Sequence, residues 1–208
     1  MTDQPRKPPA QAVLTVQEVE QVSPDLIRIT AGGDGYAEFT DNVYTDKYVK
    51  ILFADPRHGL VPPYDLAQLR EESPEKLPTR RTYTVRSADP EARLIVIDFV
   101  VHGDEGVAGP WARRAQPGDT LVVSGAGGGY RPEPSTPWHL LVGDHTALPA
   151  ISSAIEAMES DAVGHVILTV ADPSDRVLPA APSGVSVRWT ATEDRKSTRL
   201  NSSHVEIS

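Results

Sequence analysis

The sequence predicts a mixed fold, an antiparallel β-barrel followed by a partial parallel α/β unit. Three observations lead there. Residues 12–130 hold six strand-like stretches with turn residues between them and only short helical segments. The run RPEPSTP (131–137) places three prolines in seven residues and reads as a linker. Beyond it come a strand, a helix and an almost uninterrupted apolar strand, the order of a parallel βαβ unit.

Taken in order, AVLTVQEVEQV (12–22) and DLIRIT (25–30) alternate apolar and polar residues as half-buried strands do, with a turn region at Asp34 and Gly35. DKYVKILFA (46–54) is a third strand, and PYDLAQLREE (63–72) has room for two helical turns. RTYTVRSA (81–88) and ARLIVIDFVVH (92–102) are strands joined by a turn at Asp89 and Pro90. GPWARRA (109–115) suits a short helix with Pro110 in its first turn, QPGD (116–119) another turn, and DTLVVSG (119–125) the sixth strand. In the second unit WHLLVGD (138–144) is a strand, TALPAISSAIEAME (146–159) a helix, and GHVILTVAD (164–172) and GVSVRWTAT (184–192) strands. The expected organisation is a disordered lead over 1–11, the barrel over 12–130, the linker, a partial nucleotide-binding unit over 138–193 and a separate tail.

The chain has 208 residues, 39% hydrophobic and 24% charged, an ordinary balance for a globular protein. A net charge of −9 argues against nonspecific nucleic-acid binding, which depends on neutralising phosphates. The absence of cysteine removes disulfides, iron–sulfur clusters, zinc–thiolate sites and thiol nucleophiles. No apolar run reaches the ~20 residues of a membrane span, and MTDQPRKPPAQ lacks the apolar centre of a secretion signal, so a cytoplasmic protein without membrane insertion is expected. The histidines show no close ligand spacing, so no protein-held metal is expected.

The stretch RRTYTVR (80–86) stands out in this acidic chain. On a strand Arg81, Tyr83 and Val85 share one face and Thr82, Thr84 and Arg86 the other. A guanidinium matches a phosphate bidentately, a phenol ring offers a flat face, and a threonine hydroxyl donates and accepts hydrogen bonds. Those are the needs of a flavin nucleotide, although a solvated arginine-rich strand satisfies the same pattern. GAGGGY (125–130) is not followed by a helix, as a dinucleotide fingerprint requires, and reads as a turn near the cofactor. VGDHTALPAI (142–151) joins the first strand of the βαβ unit to its helix, where open α/β sheets bind ligands; Thr146 by itself reads as a helix cap. Lys50, Arg113 and Arg114 are candidates for an anionic substrate.

RTYTVR resembles the R-x-Y-[ST] flavin motif of the ferredoxin-reductase superfamily. More narrowly, the blocks DKYVKILF, RRTYTVR, IDFVVHGDEGVAGPWA, QPGDTLVVSGAGGGY and WHLLVGDHTALPAI, in this order, resemble the siderophore-interacting protein family of FAD-dependent ferric-siderophore reductases. The likeness spans residues 12 to 192, with Val107 where the family more often has proline. It implies a FAD-binding barrel and an NAD(P)-binding α/β domain. It implies that Arg81 meets the FAD phosphates, Tyr83 packs on the isoalloxazine, Thr84 approaches the reactive nitrogen edge, and Val85 and Arg86 complete the contact. Asp98, Val101 and His102 would line the cofactor next, with Gly109, Pro110, Trp111 and Ala112 at a phosphate site. Asp144, Thr146 and Ala147 would face the nicotinamide cofactor and the flavin edge. The implied reaction passes a hydride from NADPH or NADH to the flavin and single electrons to a ferric siderophore, with no catalytic side chain. Two other readings stay open: another flavin reductase of the superfamily, and a non-catalytic barrel that binds a siderophore or other small ligand. DRKSTRLNSSH (194–204) looks like a translated sequencing adapter, so the tail 194–208 is expected to be non-native.

Overall fold

The computed structural model describes residues 10–101, 103 and 106–191. Six strands close into an antiparallel barrel: β1 (Gln11–Ser23), β2 (Leu26–Gly32), β3 (Tyr48–Phe53), β4 (Thr79–Asp89), β5 (Leu94–Val100) and β6 (Thr120–Gly127), in the spatial order β1-β2-β5-β4-β3-β6. Their alternation sends one residue in two inward. Leu14, Ile29, Val49, Ile51, Val85, Ile95, Ile97, Phe99, Leu121 and Val123 form one core with almost no exposure. Helix α1 (Leu66–Glu72) is short and exposed, begun by Asp65, whose carboxylate accepts from the N–H groups of Ala67 and Gln68. Helix α2 (Ala108–Arg114) buries Ala108 and Ala112 against the barrel end.

The second unit is a parallel three-stranded sheet, β7 (His139–Asp144), β8 (Val163–Val170) and β9 (Gly184–Ala191), in that order. Helix α3 (Leu148–Glu156) crosses from β7 to β8 and packs Leu148, Ile151 and Ile155 on Val166, Leu168 and Val170. The opposite face of the sheet keeps Leu140, Val142 and Val163 exposed at 52%, 63% and 50%, so β8 is covered on one side only.

Two departures from the sequence reading have local causes. The glycine run does not turn at once: β6 continues through Gly127, which pairs with Tyr48. A Cβ at Gly127 would lie 2.3 Å from the Tyr48 ring, so the glycine lets that ring lie flat on the strand. The helix expected over 146–159 is a 3-10 turn at His145–Ala147 followed by α3, which ends at Glu156. The cap is Asp144, not Thr146: its carboxylate accepts from the Thr146 N–H at 2.9 Å and from the Thr146 hydroxyl at 2.6 Å.

The two units are joined by polar contacts on two sides. Asp175, fully buried between β8 and β9, accepts from the Ser23 hydroxyl at 2.5 Å and from the Asp25 N–H at 3.1 Å at the β1–β2 turn. On the other side Arg86 of β4 forms two 2.6 Å bonds with Glu156 of α3, and the Ser153 hydroxyl donates to the Arg86 carbonyl at 2.7 Å.

These burials set the expected costs. Ile97→Ala should lower unfolding stability by about 2–5 kcal/mol, the usual range for emptying a filled core site. Asp175→Ala should cost about 1–3 kcal/mol by leaving buried donors unmet, and Asp175→Asn less, since the amide oxygen still accepts. Urea midpoints of the three variants against the parent check both statements.

Candidate functional site

The site begins with an asymmetry in β4. Residues 79–84 pair with β3, whereas pairing with β5 runs only from Val85 opposite Ile97 to Asp89 opposite Leu94. Residues 98–100 of β5 pair with β2 on their other edge, as the rest of β5 does, and have no partner in β4. The two strands therefore part beyond Val85 and Ile97, and the first half of β4 has a ladder on one edge only. The Val85 N–H donates to the Lys47 carbonyl on the β3 side at 2.8 Å. By the alternation of an antiparallel ladder, Thr84 and Thr82 turn their backbone N–H and C=O groups toward the gap.

The gap opens a cleft of about 430 Å3 lined by Asp46, Tyr48, residues 81–84, Asp98 and Val100, and closed by Thr146 and Pro149 from the second unit. Tyr83 is half-buried with its ring 4.5 Å from that of Phe99, and burial pushes its phenol above the ordinary value of 10.0. Arg81 donates to the Arg80 carbonyl at 2.9 Å, and among the described residues no carboxylate is paired with it. Asp98 is 4% exposed and accepts two bonds, at 2.7 and 2.8 Å, from Arg28 across the strand pair. That fork raises the Arg28 guanidinium above its ordinary value, the hydrogen bond being the leading cause.

Of the residues expected at the cofactor, the fold brings Arg81, Tyr83, Thr84, Asp98 and Thr146 to this cleft. Val85, Val101 and Ala112 lie in the barrel core instead, because strand and helix periodicity turns them inward. Arg86 is engaged by Glu156 and does not line the cleft. Trp111 packs edge-on to Phe53 and tilted against Phe99 with ring centroids 5.6 and 5.5 Å apart, and with Arg114 it lines a separate cavity of about 700 Å3 beside the loop that follows β3. Gly109 and Pro110 are half-buried in α2, Gly109 facing Val101. Asp144 holds Thr146, and Ala147 packs where a Cβ on Gly143 would lie. His102 falls outside the described residues. Among the substrate candidates, Lys50 is exposed on β3 opposite Thr82, while Arg113 donates to the Gly103 carbonyl on α2.

Tyr48, Asp46, Thr82, Val100 and Pro149 line the cleft without having been singled out from the sequence. Tyr48 stands opposite Thr84 and Asp46 ties down the loop after β6, accepting from the Gly129 and Tyr130 N–H groups at 2.9 Å. Thr82 carried a signal, as the outward threonine next to Tyr83. The others are placed by strand register and by docking, which no local pattern encodes.

These residues fit a flavin. A half-buried aromatic wall, backbone donors and acceptors on an open strand edge, and an arginine without an acid partner are gathered in one cleft of ligand size. The residues that would hold it are Tyr83, Thr84 and Thr82 for the ring and Arg81 for a phosphate.

Comparison with known proteins gives the family. Residues 15–130 match the family model of the siderophore-interacting FAD-binding domain, and residues 136–207 that of the siderophore-interacting protein. The second match runs through the stretch 194–207 that the sequence reading sets apart. The chain is 41% identical over 177 residues to an uncharacterized Mycobacterium tuberculosis protein, covering 84% of this chain and 62% of that one. It is 34% identical over 175 residues to the ferric vibriobactin reductase ViuB of Vibrio cholerae, covering 81% and 62%. The chain thus spans 62% of the length of both relatives. Among solved structures it superimposes on a siderophore utilization protein from T. fusca with a TM-score of 0.75 and 34% identity, over 89% of this chain and 70% of that one.

The Arg86 fork holds the Glu156 carboxyl below its ordinary 4.5, the hydrogen bond being the leading cause. Because the folded value is depressed, this contribution to stability is complete above about 4.5 and is lost as the pH falls through the folded value. An NMR titration of the Glu156 side chain should give a midpoint below 4.5, returning toward it in Arg86→Met.

Proposed function

The chain belongs to the siderophore-interacting protein family, and we propose that it holds FAD in the slot between β4 and β5 to reduce ferric siderophores with electrons from NADPH or NADH. The observation that carries this reading is the one-sided pairing of residues 79–84 beside Tyr83 and Arg81. FAD, when bound, supplies the step between two-electron hydride chemistry and one-electron reduction of Fe(III). Tyr83 backs the ring, Thr82 and Thr84 meet its polar edge, and Arg81 takes a phosphate. Thr146, fixed by Asp144, and Pro149 close the cleft toward the second unit and exclude water from it. The parallel sheet supports the donor half of the reading, since open α/β sheets bind ligands at the carboxyl ends of their strands, where Asp144 stands.

The substrate class is supported by the family and by the printed name of the Vibrio cholerae relative. Lys50 beside Thr82, with Arg113 and Arg114 on α2, would draw an anionic chelate toward the barrel. Reduction releases the metal because Fe(II) is less oxyphilic than Fe(III) and hard oxygen ligands hold it less well. No side chain has to act as acid or base. We assign the barrel to residues 12–130, the linker to 131–137 and the nucleotide unit to 138–193, and place iron release in the cytoplasm.

Purified protein mixed with FAD and freed of excess should retain the flavin spectrum. Arg81→Ala should weaken FAD binding by about 10- to 100-fold and Tyr83→Ala by about tenfold. FAD-loaded protein, photoreduced without oxygen and mixed with a ferric siderophore, should yield Fe(II) to a colorimetric trap. Flavin retained without Fe(II) would favour a different flavin reductase. A folded protein that retains no flavin would leave only the ligand-carrying barrel.

A further inference from the structure

Arg86 ends the RTYTVR run, and family likeness carries it to the flavin, yet the fold turns it toward the second unit. We propose that Arg86 and Glu156 form an interdomain clamp that positions helix α3, and with it Thr146 and Pro149, against the cleft. The proposal rests on the flavin reading of that cleft and adds a positioning role to it.

Two bidentate forks lie on the barrel, and one of them reaches α3. Asp98 of β5 holds Arg28 of β2 through two bonds of 2.7 and 2.8 Å, and Arg86 of β4 holds Glu156 of α3 through two of 2.6 Å. Arg28 adds a weaker attraction to Glu156 without bonding it. A glutamate in the last turn of a helix opposes the helix dipole, and here the Arg86 guanidinium offsets that cost. The Ser153 hydroxyl, one turn earlier, adds a bond to the Arg86 carbonyl.

Geometry makes this contact act on the cleft. Thr84 and Arg86 lie on one face of β4, so the residue that lines the cleft and the residue that grips α3 are two positions apart. Helix α3 spans about 13 Å at 1.5 Å per residue. Glu156 stands at its far end, and Pro149 and Thr146 stand at or just before its near end. A short rigid rod held at one end transmits that position to the other. Glu156 is 48% exposed, so its ion pair is screened by water and its worth lies in the fixed bidentate geometry. Asp175 anchors the opposite side through Ser23 and Asp25, so loss of the clamp should loosen the units without separating them.

The absence of native cysteine makes the test direct. Gln68→Cys on α1 and Asp161→Cys in the second unit carry spin labels, and pulsed electron resonance gives their distance distribution in FAD-free protein. A narrow distribution is expected in the parent, broadened alike by Arg86→Met and Glu156→Gln and no further by both together. Arg86→Lys, which keeps the charge but not the fork, should fall between. Fluorescence titration should show FAD binding weakened by a similar factor in both single variants, about three- to tenfold, with the double variant no worse. Unchanged distributions in the variants would overturn the clamp. So would loss of FAD in Arg86→Met with full retention in Glu156→Gln, which would make Arg86 a direct flavin contact. A parent that retains no FAD yet shows the same broadening in both variants would keep the clamp and refute the flavin reading.

Discussion

The structure depends on a closed barrel in which one strand is only half shared. Strand β4 bridges β3 and β5 in two halves, residues 79–84 pairing with β3 and Val85 to Asp89 with β5. Over the first half it has no partner in β5, and an open edge faces a cleft. Unpaired backbone groups are costly when buried, so such an edge persists only where water or a ligand reaches it. The residues along it are Arg81, which has no acid partner among the described residues, the half-buried Tyr83 and two threonines, the groups we propose to hold the flavin.

The barrel alone leaves that cleft open on one side. Its other wall comes from the turn after β7, where Asp144 fixes Thr146 and Pro149 opens α3. The turn is placed by polar contacts at a distance from it: Arg86 with Glu156 on one side, Ser23 and Asp25 with Asp175 on the other. Polar docking suits two units that must hold a fixed spacing around a bound group, because directional bonds set position as well as attraction. Arg86, two positions from Thr84, serves this docking through Glu156.

The tight Tyr48–Gly127 contact belongs to the same design. Glycine at 127 lets the Tyr48 ring lie flat on β6, and Tyr48 then lines the cleft opposite Thr84. Lys47 and Asp46 stabilise the adjoining loops through Asp41 and through the Gly129 and Tyr130 N–H groups.

The sequence by itself determined the six alternating strands, the proline-rich break and the βαβ order, because the periods of strand and helix are local properties that each segment carries. It also determined that Arg81, Tyr83 and Thr84 belong together, since their spacing on one strand needs no partner. It misjudged what depends on partners. The inward turn of Val85, Val101 and Ala112, the capture of Arg86 by Glu156 and the passage of β6 through its glycines follow from which surfaces meet. Asp144 rather than Thr146 caps the turn because the backbone path there decides which oxygen reaches an N–H. Register, strand parting and docking join residues distant in sequence, 12 positions for Val85 and Ile97 and 70 for Arg86 and Glu156. Only the tertiary structure brings such pairs together, because the free energy that selects them comes from burial and hydrogen bonding between elements rather than from preferences within any one of them.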